Sequence, residues 1–165
     1  MIQAIEDNLK KGIKLLNFIS EQQYKNTTIA PYKASIGSHM RHVMDVFDCV
    51  FKGLESGEID LDSRNRSFEI EQDILLGKAY AKTILFKMNR LSRHDMNRYV
   101  FVTDTLGSRK IRTQYTLASI LMQAHSHAIH HYAIIGYILH QLGIELPDAV
   151  FGLNPTTPKK GLFHS

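Results

Sequence analysis

The chain has 165 residues, of which 44% are hydrophobic and 22% charged, with ten Gly, four Pro and a formal net charge of +4. That is one domain's length, and we read residues 1–165 as a single unit able to bury roughly 70% of its unfolded surface around one core. Disordered, collagen-like and disulfide-scaffold classes are excluded by this composition.

Four stretches carry helical periodicity. Ile2, Ile5, Leu9, Ile13, Leu16 and Ile19 recur at steps of three and four and build one apolar stripe. Thr27, Thr28, Pro31 and Tyr32 then break the pattern. Ser35 is placed to cap a second helix through Ile36, Met40, Val43, Phe47, Val50 and Leu54, which stops near Ser56 and Gly57. A polar connector runs from Glu58 to Arg66, and Ser67 caps a third helix through Ile70, Ile74, Ala81, Leu85, Met88 and Leu91.

The period then changes. Tyr99–Thr103 and Arg109–Thr113 flank Asp104–Ser108 and read as a short hairpin. The fourth helix is the clearest, from Leu117 through Ile120, Ala124, His127, His131, Ile134 and Ile138 to Leu142, ending at Gly143. The tail from Pro147 through Pro155 and Pro158 is irregular and is expected to pack over the helices. The expected fold class is all-α, a four-helix bundle with a long connector between helices two and three and a short β-hairpin before helix four.

The lone cysteine, Cys49, cannot form an internal bridge and fits a reducing compartment. Residues 1–25 interleave charges and hold no apolar signal core, and no apolar run approaches the length of a spanning helix. The expectation is a cytoplasmic protein without a membrane partner. Basic residues are scattered, with short clusters at Arg109–Arg112 and Lys159–Lys160, so no nucleic-acid partner is expected.

Histidine is the unusual residue: there are nine, and five of them fall between 125 and 140. His127 and His131 are four apart, so their imidazoles share one helix face, which is also the apolar stripe. Two imidazoles at consecutive inward turns can direct two nitrogens at one metal ion, the geometry that the His-x-x-x-His of zinc proteases exploits. The protease glutamate is missing, since Ala128 follows His127. The bland alternative is a pair of polar residues tolerated at a helix seam, and the desolvation cost of two buried imidazoles weighs against it. A third ligand must come from helix two, where periodicity slightly prefers His39 over His42 without deciding between them. His39 and His130 are otherwise groups that stand behind a ligand.

The segment Ser35-Ile-Gly-Ser-His-Met-Arg-His-Val-Met-Asp45, followed by His127-Ala-Ile-His-His-Tyr-Ala133, resembles the DinB-like superfamily of metal-binding four-helix bundles. The order agrees, a His-x-x-Asp on the second helix and His-x-x-His-His on the last. The connector Ile59–Arg66 and the tail Val150–Thr156 are similar to one bacterial branch.

The resemblance implies three histidine ligands around a divalent metal with open coordination positions. Carried over by motif position these are His42, His127 and His131; Asp45, which completes the His-x-x-Asp, reads either as a group beside His42 that orients it through its second nitrogen or as a solvated helix charge. Ser119 and Ile120 depart from the pattern, standing where close relatives would carry an Arg-Glu pair.

The resemblance further implies a metal-dependent thiol S-transferase or isomerase acting on a small electrophile, with a low-molecular-weight thiol as cosubstrate and a homodimer joined through helix faces. Zinc is the first expectation, and nickel, manganese or iron also accept three histidines. The alternative is a stress-associated module that binds metal or a small ligand without turnover. No catalytic residue beyond the ligands is identified. Tyr132 and Tyr137 read as half-buried packing residues or hydrogen-bond donors, and Arg64 and Arg66 as solvated connector charges or anion binders. Cys49 reads as a small core residue.

Overall fold

The structure, a computed structural model, describes residues 1–91, 93–146 and 148–158. Pro147 and the Lys159–Lys160 cluster lie outside the described residues.

Helix α1 spans Ile2–Phe18, and its stripe buries Ile5, Leu9, Leu15 and Leu16. The chain turns extended at Ile19, and a single capped turn, α2 (Glu21–Tyr24), follows. Ser20 and Gln23 close a reciprocal capping box there, which satisfies two otherwise unpaired N–H groups. Buried Tyr24 donates its hydroxyl to the Ile70 carbonyl at 2.7 Å and so ties this turn to the third helical region.

Helix α3 runs Ile36–Lys52, and the Ser35 hydroxyl accepts from the Ser38 N–H at 2.9 Å, as its sequence position suggests. The third helical stretch is not one helix. It divides into α4 (Phe68–Gln72), capped by Ser67, and α5 (Ile74–Asn89). Asp73 makes the break: its backbone is extended, and its carboxylate accepts from Leu75 N–H and Leu76 N–H. An Asp that bonds the following turn favours a new N-terminus over a continued helix.

A 3-10 turn (Arg93–Asn97) leads to β2 (Tyr99–Leu106) and β3 (Arg109–Thr116). These pair antiparallel from Tyr99↔Thr116 to Leu106↔Arg109, joined by Gly107 and Ser108. The two-residue turn places Gly107 at φ 64°, which glycine adopts without a Cβ clash. The strands are longer than their sequence pattern suggests, and they have a third companion. Glu58–Asp60 of the connector forms β1, parallel to β2 in the register Ile59↔Val102, giving the order β1-β2-β3. The all-α expectation is corrected accordingly: the chain is mostly helical with one small sheet. The period-two burial of Ile59 and Leu61 between exposed or half-buried acids explains the third strand.

Helix α6 is the longest, Leu117–Gln141, and its 25 residues extend about 38 Å. Around the core, α1 packs on α5 and α6, and α3 packs on the same two helices. Gly152, at φ 73°, brings the tail so close to the backbone of Tyr132 and Ala133 that a side chain there would collide with it. Phe151 then stacks on Tyr132 with ring centroids 4.8 Å apart. Among the described residues, no helix is long and apolar enough to cross a membrane.

Candidate metal centre

The packing of α3 against α6 sets the stage, because each helix presents histidines at the shared seam. His42 on α3 and His127 and His131 on α6 form a triangle of rings, with centroid separations of 4.8, 4.7 and 4.5 Å. One nitrogen from each lies within 4.8 Å of the other two, and all three side chains are half-buried. His42 Nε2 and His127 Nε2 stand 2.8 Å apart.

Burial holds these rings neutral. It pushes the His42 pKa down to about 4, helped by His127 and by the Arg64 and Arg41 guanidiniums. It pushes His131 down to about 3, helped by its histidine neighbours, and it lowers His127 in the same direction. A neutral imidazole has a lone pair to give, so the donor set suits a borderline divalent cation. The three residues fit a metal.

His39 is in the cluster but one layer back. Its Nδ1 lies 2.9 Å from His131 Nδ1, a hydrogen bond that occupies that nitrogen of His131. Periodicity does not separate His39 from His42; of the two, His42 shares the triangle with His127 and His131, and His39 pairs with His131. His130 is exposed and touches His131 only edge-on, at a centroid distance of 5.3 Å.

Asp45 is not hydrogen-bonded to His42. It is fully buried and instead accepts from Arg41, from Tyr80 Oη at 3.0 Å and from the Arg66 backbone N–H at 3.1 Å. Arg41 bridges onward to Glu71 at 2.7 Å. The carboxylate therefore ties the connector and α5 to α3, and the partner that reaches His42 is Arg64, with Nη1 3.3 Å from His42 Nδ1. The i, i+4 spacing of Arg41 and Asp45 was the available signal for this network. Nothing local in the sequence marks Tyr80 or Arg66 as members of it.

A cavity of about 130 Å³ opens on His42 and His127 and is further lined by Arg64, Asp104 and Gln123 with Val46, Leu61 and Ile120. Ile120 thus forms part of its apolar wall, while Ser119 closes the α6 capping box with Thr116. On the far side of His39 a larger cavity of about 350 Å³ is bounded by the Ile29–Ala34 loop, Ile134 and exposed Tyr137. Tyr132 is a core residue whose hydroxyl has no partner, and Cys49 is buried with its thiol pushed up to about 11 by desolvation, which suppresses thiolate chemistry.

No protein-family model matches the chain, and no curated protein sequence matches it. A solved structure does: a DinB-like protein, YjoA, from Bacillus subtilis superimposes with a TM-score of 0.65 at 20% sequence identity. The match covers 89% of this chain and 95% of that one. With its long helices packed around a common core and its histidines gathered on the seam between two of them, this chain has the fold of a DinB-like protein.

Proposed function

We propose that the protein holds one divalent metal ion through His42, His127 and His131 and acts as a metal-dependent thiol S-transferase or isomerase on a small electrophile. The observation that carries this reading is the gathering of three neutral imidazoles within 4.8 Å of one another, two of them, His42 and His127, lining a cavity. The likeness to a DinB-like structure supports a four-helix-bundle frame of that kind. The reaction class draws on the sequence resemblance, since one fold hosts many activities. Zinc suits a nitrogen-rich tetrahedral site, with nickel, manganese and iron as the other candidates.

When bound, the ion supplies positive charge undiminished by its neutral ligands, which lowers the pKa of a coordinated thiol or water towards neutrality. The chain's residues do the rest. Val46, Leu61 and Ile120 restrict water at the cavity wall, and His39 orients His131 through the Nδ1–Nδ1 bond. We further propose a homodimer in a reducing, cytoplasmic setting. Exposed Phe18 on α1, Leu75 and Phe86 on α5 and Met122 on α6 are the apolar side chains that favour it.

The test is conjugation by metal-loaded protein offered bacillithiol, glutathione, cysteine and mycothiol with several electrophiles. Turnover should require metal and disappear in His127→Ala and in His131→Ala. Metal-loaded protein inert across that panel would favour a binding module without turnover. The cavity itself gives that second reading its footing, because its polar side chains beyond the histidines are limited to Arg64, Asp104 and Gln123.

A further inference from the structure

We propose that Arg64 is the receptor for an anionic group, a carboxylate above all, on the small molecule that this site takes. The inference rests on the functional reading just given and names the chemical class of its ligand. Arg64 lines the same cavity as His42 and His127, so a molecule in contact with the centre is also within its reach. Its Nε is sealed from solvent and has no hydrogen-bond partner among the described residues, where the polar contact it makes is Nη1 to His42 Nδ1 at 3.3 Å. A guanidinium has five donors and no acceptor, so most of its capacity is unspent at a place where water cannot fully repay it.

A second arginine shows the contrast. Arg41, next to His42 in the sequence, is consumed by Asp45 and Glu71. Among the described residues Arg64 has no such carboxylate. Asp104 shares the cavity wall and opposes an incoming anion, but one of its oxygens accepts the Thr105 N–H at 2.9 Å. A single carboxylate is also outweighed by Arg64 together with a divalent ion.

His42 gives Arg64 a reason to be free when the site is loaded. Because Arg64 can only donate, a neutral His42 that accepts at Nδ1 keeps its proton on Nε2, 2.8 Å from His127. For His42 to offer Nε2 as a ligand, that proton must sit on Nδ1, where it meets the guanidinium donor to donor. Arg64 then loses its acceptor and has the cavity to turn to. A carboxylate there would receive two parallel N–H bonds from the fork of the guanidinium.

The experiment titrates the cobalt-loaded full chain with 3-mercaptopropionate and, separately, with 2-mercaptoethanol, reading thiolate-to-cobalt absorption. The carboxylate thiol should bind about tenfold tighter or better to the unaltered chain, as expected of hydrogen bonds to a charged group. That advantage should vanish in Arg64→Gln and survive in part in Arg64→Lys. Equal binding of the two thiols to the unaltered chain overturns the proposal, and so does a preference that persists in Arg64→Gln, which would mean chelation by cobalt alone. Cobalt that fails to bind, or that takes neither thiol, overturns the functional reading and this proposal with it.

Discussion

His42 and His131 bind fewer protons in the folded metal-free chain than in the unfolded one, because burial depresses their pKa values to about 4 and about 3 from an ordinary 6.5. Between those values the unfolded state binds the extra protons, so stability rises with pH there and is lost as pH falls from about 6.5 towards 4. Urea midpoints of metal-free protein measured across that range should drop steadily, and a flat profile would mean that the rings are not desolvated. His39→Ala removes the partner of His131 Nδ1 and should weaken metal affinity by about 10- to 100-fold in a chelator competition, whereas His130→Ala should leave it unchanged. Asp45 is a fully buried carboxylate serving three donors, and Asp45→Ala should cost about 3–5 kcal/mol in urea unfolding. At this scale the sequence was only partly readable. The i, i+4 pair of His127 and His131 announced itself through the helical period, but that His42 rather than His39 joins their triangle depended on which turn of α3 meets α6. Asp45 was placed beside His42 by motif, and three-dimensional proximity gave it to Arg41 and Tyr80 instead.

Elements whose signal is local were legible, and those that depend on a distant partner were not. The caps at Ser35 and Ser67 act within three residues of themselves, and the helices begin there. The break at Asp73 was equally local but masked by apolar Ile70 and Ile74, whose spacing mimics an unbroken stripe. Strand β1 has three residues and exists because β2 lies beside it, so a connector rich in Asp and Arg concealed it. Close approach between elements leaves its own trace in glycine. A Cβ at Gly37 would run into the Glu71 carbonyl and the Tyr24 ring, where α3 meets the end of α4. Gly37→Ala should therefore destabilise the chain by about 1–3 kcal/mol, through overpacking, despite alanine's better helix propensity. An unchanged or raised urea midpoint would show that this contact relaxes freely.

For the molecule as a whole, four amphipathic stretches and a hairpin signal were enough to anticipate a mostly helical fold, and the histidine motifs on the second and last helices carried the likeness to a DinB-like protein. What periodicity could not convey is how the pieces close over the histidines, since Arg64 from the connector and Asp104 from β2 reach the cavity only through tertiary packing. Exposed Phe18, Leu75 and Phe86 make self-association the expected state, so sedimentation at micromolar concentration should report twice the 18.9 kDa chain mass. A species at the chain mass would reject the homodimer. The central claim, that the triangle of His42, His127 and His131 is a metal centre, is tested most directly by elemental analysis of the purified protein beside His127→Ala. The account predicts about one equivalent of a divalent transition metal per chain in the first and almost none in the second, with the variant still folded by circular dichroism. Unaltered protein that takes up no such metal even when it is supplied, or a His127→Ala variant that keeps its full complement, would contradict it.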